Sequence, residues 1–400
     1  MNRLSLAPLL IGVCTGSITC QTASRPAPSP ATAPPQVTSS QTTEVNTQSL
    51  AKLDSPWGMT FLPDGRLLIT EKPGRLRVFA NNQLSEPIGG VPAVVYRGQG
   101  GLMDVAIDPQ FATNSLVYIY FVEAAPEQPQ GATDPGDPRF GSAGPNRDNV
   151  LKGGAVARGR LVGNQLQDVK IIWRQVPKTI GRGHFGGRLV FASDGKLIIT
   201  SGERMRFDPA QDMTSNLGKI VRINSDGSIP SDNPPVAGKD ARPDILTSGH
   251  RNPLGVIVHP VTKEIWINEM GPKGGDEINI IVPGKNYGWP IVSNGSNYDD
   301  SPIPDHPTRP EFQPPITSWN PVISPSGMIY YTGSMFPSWK GNLLLGGLSS
   351  ESVIRLTLDG NKVTGEERMK MGKRIRDVEQ APDGAVLFTP TASVLVRPIG

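Results

Sequence analysis

The amino-acid sequence predicts an all-β fold, a six-bladed β-propeller, and three observations carry that expectation. The 400 residues include 45 Gly and 40 Pro with only 19% charged residues, the composition of many turns joining short strands. A strand–turn–strand phrase returns six times along the chain, as it does in blade-repeat proteins. Each copy has one apolar face too many to bury by itself, so neighbouring copies must stack about an axis.

The first copy, PWGMTFLPDGRLLITEKPGRLRVF (56–79), runs as an alternating strand to Pro63-Asp64-Gly65, turns, and resumes at Leu67, a hairpin signal. The second, GGLMDVAIDPQFATNSLVYIYF (100–121), has a longer turn. The third, GGRLVFASDGKLIITSGE (186–203), and the fourth, NPLGVIVHPVTKEIWINEMGP (252–272), keep the order of small residue, apolar alternation, turn and apolar run. SPSGMIYYTGSMFPSWKGNLLLGGL (324–348) and IRDVEQAPDGAVLFTPTASVLV (375–396) complete the set. In such a toroid the loops of one face converge on the channel mouth, where functional residues are expected.

The propeller domain is placed at residues 49–400. Residues 1–20 read as an export signal: Arg3, then the apolar stretch Leu4 to Val13, then small residues. That stretch is too short to span a bilayer. Residues 21–48, rich in Pro, Ser, Thr and Ala near their start, read as a linker. The chain's two cysteines, Cys14 and Cys20, both lie in the leader, which excludes disulfides and thiol catalysis from the body. Cys20 before a polar tether fits a lipid-anchored protein; a simple secreted leader fits equally. The chain is therefore expected to be exported and periplasmic, touching a membrane only through such an anchor. With a net charge of +3 and no basic stripe, no nucleic-acid partner is expected.

The chain has four histidines. His259 and His306 lie in Pro-containing turns and are expected at the surface. His184 sits among glycines in GRGHFGGRL, where backbone and ligand can approach closely. An imidazole suits proton abstraction near neutral pH but needs an orienting partner, and Glu203 at the end of the same repeat is a candidate. A structural histidine before a strand is the alternative. In GHRNPLG (249–255), Arg251 and Asn252 offer a planar cation and an amide to an anionic or carbonyl-bearing ligand. Arg374 and Arg376 occupy alternate positions leading into a strand and are expected to point the same way. The segment NEMGPKGGDEINIIVPGKNYGWP (268–290) is rich in oxygen donors: the carbonyls of Gly271 and Pro272, with Asp276 and Glu277 after them. Hard oxygen ligands suit calcium; an acidic loop capping backbone amides is the other reading.

Taken in order, GHFGGRL, GHRNPLG, GPKGGDEINIIVPGKNYGWP and RIRDV, with DGSIPSDNP (226–234), resemble the soluble dehydrogenases of glucose, aldoses and sorbosone that depend on pyrroloquinoline quinone (PQQ). The resemblance covers roughly residues 50–398. It implies oxidation of an aldose at the anomeric carbon, with PQQ and calcium (Ca2+) as cofactors and an external electron acceptor. It implies that His184 is the base and Glu203 its support, and that Gln99, Arg251, Asn252, Trp319, Arg374 and Arg376 surround PQQ. The carbonyls of Gly271 and Pro272 match ligands of the calcium that grips PQQ, while Asp276, Glu277 and Tyr287 match a second, structural calcium region. Two positions depart from the glucose-type pattern: Gly183 stands where an acidic residue precedes the base, and Ser349 where a lysine is usual. The second departure keeps a further reading open, a non-catalytic propeller that binds carbohydrate or protein.

Overall fold

The computed structural model describes residues 41–131, 133, 139, 148–235, 238, 240–391 and 394–398, so the leader and the linker up to residue 40 lie outside the described residues. Five four-stranded antiparallel sheets and one sheet of four antiparallel strands with a fifth, parallel edge strand make up the blades, each beginning where a repeat of the sequence begins. Their first strands are Pro56–Phe61, Leu102–Ile107, Gly186–Phe191, Pro253–Val258, Pro325–Tyr330 and Ile375–Gln380; these open blades 1 to 6. Each first strand packs against that of the next blade, and Ile375–Gln380 returns to Pro56–Phe61, closing a ring.

The apolar alternation of the repeats becomes six core clusters, one in each gap between blades. Between blades 1 and 2, for instance, Leu68 and Leu76 meet Val117 and Phe121, all buried. Between blades 4 and 5, Trp266 and Ile278 meet Leu343 and Leu345. Truncating such a side chain to alanine typically costs about 2–5 kcal/mol.

The ring is closed by hydrogen bonds as well as by packing. Thr47–Lys52 pairs antiparallel with Val394–Pro398 and supplies the fourth strand of blade 6. Gln41–Glu44 lies parallel to Lys362–Lys370 on the edge of blade 5. Both strands start inside the 21–48 segment read as linker, so among the described residues the sheets reach back to Gln41. Residues 41–48 contain no proline and carry Thr43, Val45 and Thr47 at alternate positions, a pattern that a sheet edge can accept.

The third residue of each first strand in turn is Gly58, Asp104, Arg188, Gly255, Gly327 and Asp377. Arg188 bridges to Asp104 at 3.1 Å and Asp377 at 2.8 Å, while its Nε donates to Leu254 O at 2.7 Å. The guanidinium also lies 4.3 Å from the Trp57 ring. A Cβ at Gly58 or Gly327 would overlap a carboxylate of this network. The network thus spans the axis between two ends of the channel. Below it, at the far ends of the first strands, a cavity is lined by Thr60, Ala106, Val190, Ile257, Ile329 and Glu379.

His259 and His306 are both buried, contrary to the surface positions expected from their turns. His259 packs edge-on to Tyr330 with centroids 4.5 Å apart, and its Nδ1 accepts the amide of Thr262. His306 faces Glu277 at 3.4 Å. A histidine in a turn can cap that turn's amides and so be drawn inward with it.

Candidate active site

Segments 97–101, 182–185, 249–252 and 371–374 each lead into a first strand, and so meet at one end of the axis. Hydrogen bonds tie the first three together there. Gln99 N–H donates to Arg182 O at 2.7 Å and Glu203 N–H to Arg251 O at 2.9 Å, while the Gly186 amide donates to Asn252 Oδ1 at 3.2 Å.

His184 stands in this knot in the left-handed region, φ 50°, a conformation that a non-glycine residue adopts at some cost and that recurs at functional sites. Three contacts hold it. The Gln99 side-chain oxygen accepts its amide at 2.9 Å, its carbonyl accepts the Arg204 amide at 3.1 Å, and its Nδ1 meets Glu203 Oε1. Glu203 is itself fixed, since Oε2 accepts the amides of Arg206 and, at 2.8 Å, Phe207. Arg204 grips the loop on both sides of the base, donating to Gly181 O at 2.8 Å and Gly183 O at 3.0 Å, while its guanidinium lies 3.8 Å from the Phe185 ring.

Burial lowers the pKa of His184, Arg251 lowers it further, and Glu203 opposes both. Burial pushes the Glu203 carboxyl up, but His184, Arg251 and the Phe207 amide together hold it below the ordinary carboxylate value. Both directions describe a neutral imidazole beside a carboxylate. Nδ1–H is then the natural donor to Glu203, leaving the Nε2 lone pair for a substrate proton. Turnover should accordingly fall toward acid pH through an inflection below the ordinary histidine value of 6.5. Glu203→Gln removes the group that raises this value and the acceptor that fixes the tautomer. The acid limb should move lower still while the plateau drops about 10³-fold or more; a pH–rate profile of the two proteins checks both.

Arg251 faces the same space from blade 4. It donates to Met270 O at 3.1 Å and Tyr298 Oη at 3.3 Å and lies 5.2 Å from the Trp289 ring. From blade 6, Arg376 reaches within 5.8 Å of the Trp57 ring centroid, and the exposed Arg374 precedes it. Burial, with Arg188 and Arg374 nearby, pulls the Arg376 guanidinium down to about 9. Among the described residues neither Arg374 nor Arg376 has a carboxylate in ion-pair contact. Like charges gathered without counter-ions favour an anion between them.

The oxygen-rich loop after blade 4's second strand (Ile265–Glu269) is folded back on itself through Gly274 and Gly275, both at positive φ. A Cβ at Gly271 would overlap the backbone of both. Asp276 organises this turn: one oxygen accepts the Gly271 amide at 2.9 Å, the other those of Ile323 and Ser324 at 2.7 Å. Burial nevertheless raises it to about 7. Its carboxylate is thus engaged with backbone and does not line the small cavity next to it. Glu277, Tyr287, Gly271 and Glu269 do. Glu269, which sequence reading passed over, also accepts from the Arg251 amide at 2.7 Å and Asn279 at 3.1 Å, and meets His250 at 2.9 Å. Its only signal was an acidic residue at the lip of a Gly-rich loop. Among the described residues no three of His, Cys, Asp and Glu converge as a metal cluster. A cation in this loop would be held mostly by backbone oxygens with the Glu277 carboxylate, a donor set suited to a hard ion such as calcium.

Three expectations change with the side chains in view. Trp319 does not border the mouth: it ends the outermost strand of blade 4, sits in the core between blades 4 and 5, and donates to Glu366 at 2.7 Å. Ser349 presents no polar group to the arginines; its hydroxyl donates to Val322 O at 3.3 Å. At Gly183 a Cβ would stand 2.7 Å from Met205 Sδ, so the room that an acidic side chain needs is filled by methionine.

Together the toroid and the carboxylate-backed imidazole at its mouth define a propeller enzyme. The sequence matches the Glucose / Sorbosone dehydrogenase family over residues 53–394, and the chain belongs to that family. It is 39% identical over 343 residues to the aldose sugar dehydrogenase YliI of Escherichia coli, covering 83% of this chain and 86% of that protein. With the quinoprotein glucose dehydrogenase B of Acinetobacter calcoaceticus it shares 28% identity, covering 86% and 84%. The fold matches the apo-form of the soluble aldose sugar dehydrogenase from Escherichia coli with a TM-score of 0.78 and 37% identity, over 88% and 99% of the two chains. It also matches the PQQ-bound aldose sugar dehydrogenase of Streptomyces coelicolor with a TM-score of 0.67 at 24% identity, over 91% and 99%, which speaks to the fold. The family resemblance read from the motifs is borne out. Among the described residues no helix is long and apolar enough to cross a membrane.

Proposed function

We propose that this protein oxidises aldose sugars at the anomeric carbon to lactones, using PQQ with calcium and passing the electrons to an external acceptor. The observation that supports this reading is the His184–Glu203 pair under the charge of Arg251, at the end of the ring where the segment carrying Arg374 and Arg376 also enters a first strand. PQQ is a planar tricarboxylate, so Arg251, Asn252, Gln99, Arg374 and Arg376 are suited to hold it. When bound, it would supply the quinone that takes a hydride, a proton together with two electrons, from the sugar carbon.

The chain's own part is proton transfer and positioning. His184 Nε2 takes the proton of the anomeric hydroxyl, and the imidazolium so formed is stabilised by Glu203. The loop 269–277 would hold the calcium that meets the quinone through the carbonyls of Gly271 and Pro272. Arg204 and Gln99 keep the base in place through its backbone.

Titrating the purified chain with PQQ in the presence and absence of calcium, followed by absorption, and then assaying aldoses with an artificial acceptor, tests the reading. Calcium-dependent quinone uptake and aldose oxidation are expected, with EDTA abolishing turnover and added calcium restoring it. No oxidation of any aldose by the reconstituted protein would overturn the proposal. Sugar binding without quinone uptake would mark a non-catalytic propeller instead.

A further inference from the structure

Blade 1 contributes a cation to this rim that has no role in the site as described. Lys72 follows the strand Leu67–Glu71 and its backbone is pinned on both sides: its amide donates to Ser55 O at 3.0 Å, and its carbonyl accepts the Leu102 amide at 2.9 Å. Gly101 is required there, because at φ +151° a Cβ would stand 2.5 Å from the Lys72 carbonyl oxygen. The segment leading to Gln99 is therefore laid directly on Lys72. The ammonium donates to Gly98 O at 3.1 Å and lies 5.3 Å from the Tyr96 ring centroid. It is thus one residue away from Gln99, whose side chain holds the amide of His184.

Of the three ammonium donors of Lys72 one is engaged, by Gly98 O, and among the described residues no carboxylate forms an ion pair with it. The charge that acts on it is another cation: burial first, then Arg376, bring it down to about 8. A half-buried ammonium in the field of the Arg376 guanidinium is unfavourable by itself. An oxyanion shared between them relieves both, and charge-assisted hydrogen bonds of that kind are the strong ones.

We infer that Lys72 is a carboxylate-binding residue of the mouth, acting together with Arg376. This deepens the reading above where the carboxylate belongs to the cofactor; a sugar acid at the same rim is the other source. Lys72 is a binding residue in this account and takes no part in proton transfer.

The test compares the full chain with Lys72→Met, which keeps the aliphatic stem, and Lys72→Arg, which keeps the charge, after thermal melting has shown all three to be folded. Three probes are used: PQQ with calcium, benzene-1,3,5-tricarboxylate as a planar tricarboxylate lacking a quinone, and glucuronate against glucose at saturating cofactor. Lys72→Met should weaken tricarboxylate and PQQ binding about tenfold at neutral pH with a shallower salt dependence, and Lys72→Arg should stay within about threefold of the parent. Loss confined to the preference for glucuronate would assign the carboxylate to the substrate. Tricarboxylate binding that depends on Lys72 in a chain that takes up no PQQ would support the inference while overturning the proposed cofactor. A parent chain that binds none of the three probes, or constants unchanged within about twofold in Lys72→Met, would overturn the inference.

Discussion

His184→Ala should leave PQQ binding close to normal and lower turnover by about two to four orders of magnitude, the usual worth of a positioned general base. The proposed anionic cofactor would be held by Arg374, Arg376 and their neighbours, none of which depends on the imidazole for its place. Glu203 keeps two backbone amides as partners after the substitution, from Arg206 and Phe207, so the loop survives the loss of the ring. Equilibrium titration with PQQ and a steady-state assay on the same preparation separate the two effects. Turnover that persists in the variant would remove His184 from the mechanism; loss of binding in step with turnover would make it a structural histidine.

Arg188→Met should destabilise the fold by about 3–5 kcal/mol, because it leaves Asp104 and Asp377 buried and facing each other across the axis without their shared cation. Burial raises Asp104 to about 6 even though Arg188 opposes it. Since the folded-state value lies above the ordinary 3.8, the folded chain holds more protons than the unfolded one between these limits, and this group's contribution to stability declines as pH rises through them. Without the guanidinium the window extends upward, so the deficit of Arg188→Met should widen between pH 5 and pH 8. Urea denaturation at the two pH values measures it. Adding Asp104→Asn and Asp377→Asn to Arg188→Met should recover part of the loss. A variant as stable as the parent would show that the axial network is dispensable.

The blades were legible because a propeller repeats one physical problem six times. Wherever PDG, SDG or an equivalent turn interrupts an apolar alternation, a first and second strand appear, as at Leu67–Glu71, Leu197–Ser201 and Val386–Pro390. His184 and Glu203 were legible for a similar reason: an imidazole among glycines ahead of a strand and an acid at the end of the next strand are neighbours in any antiparallel hairpin. Arg251 and Asn252 stood just before a first strand, where the mouth must be.

Trp319, Asp276 and Glu269 were not legible in the same way. Whether Trp319 faces the mouth or the gap between blades depends on which strand of blade 4 it ends, and nothing near it in sequence fixes that. Asp276 and Glu277 are adjacent and equally acidic, so only the fold can turn one to the amides of Ile323 and Ser324 and the other to a cavity. The axial residues escaped notice because Asp104, Arg188 and Asp377 come from three blades and are each unremarkable within their own repeat.

By itself, then, the sequence determined the number of blades and where each begins, and it singled out local candidates for chemistry, since the blades follow from short-range periodicity and turn residues. Tertiary structure decided which groups share a space: Lys72 with the Gly98 carbonyl, Arg188 with its two carboxylates, Met205 with Gly183. The reason is that ring closure brings together positions more than three hundred residues apart, as when Asp377 accepts the amide of Met59, and electrostatics and steric fit act through distance in space, not along the chain.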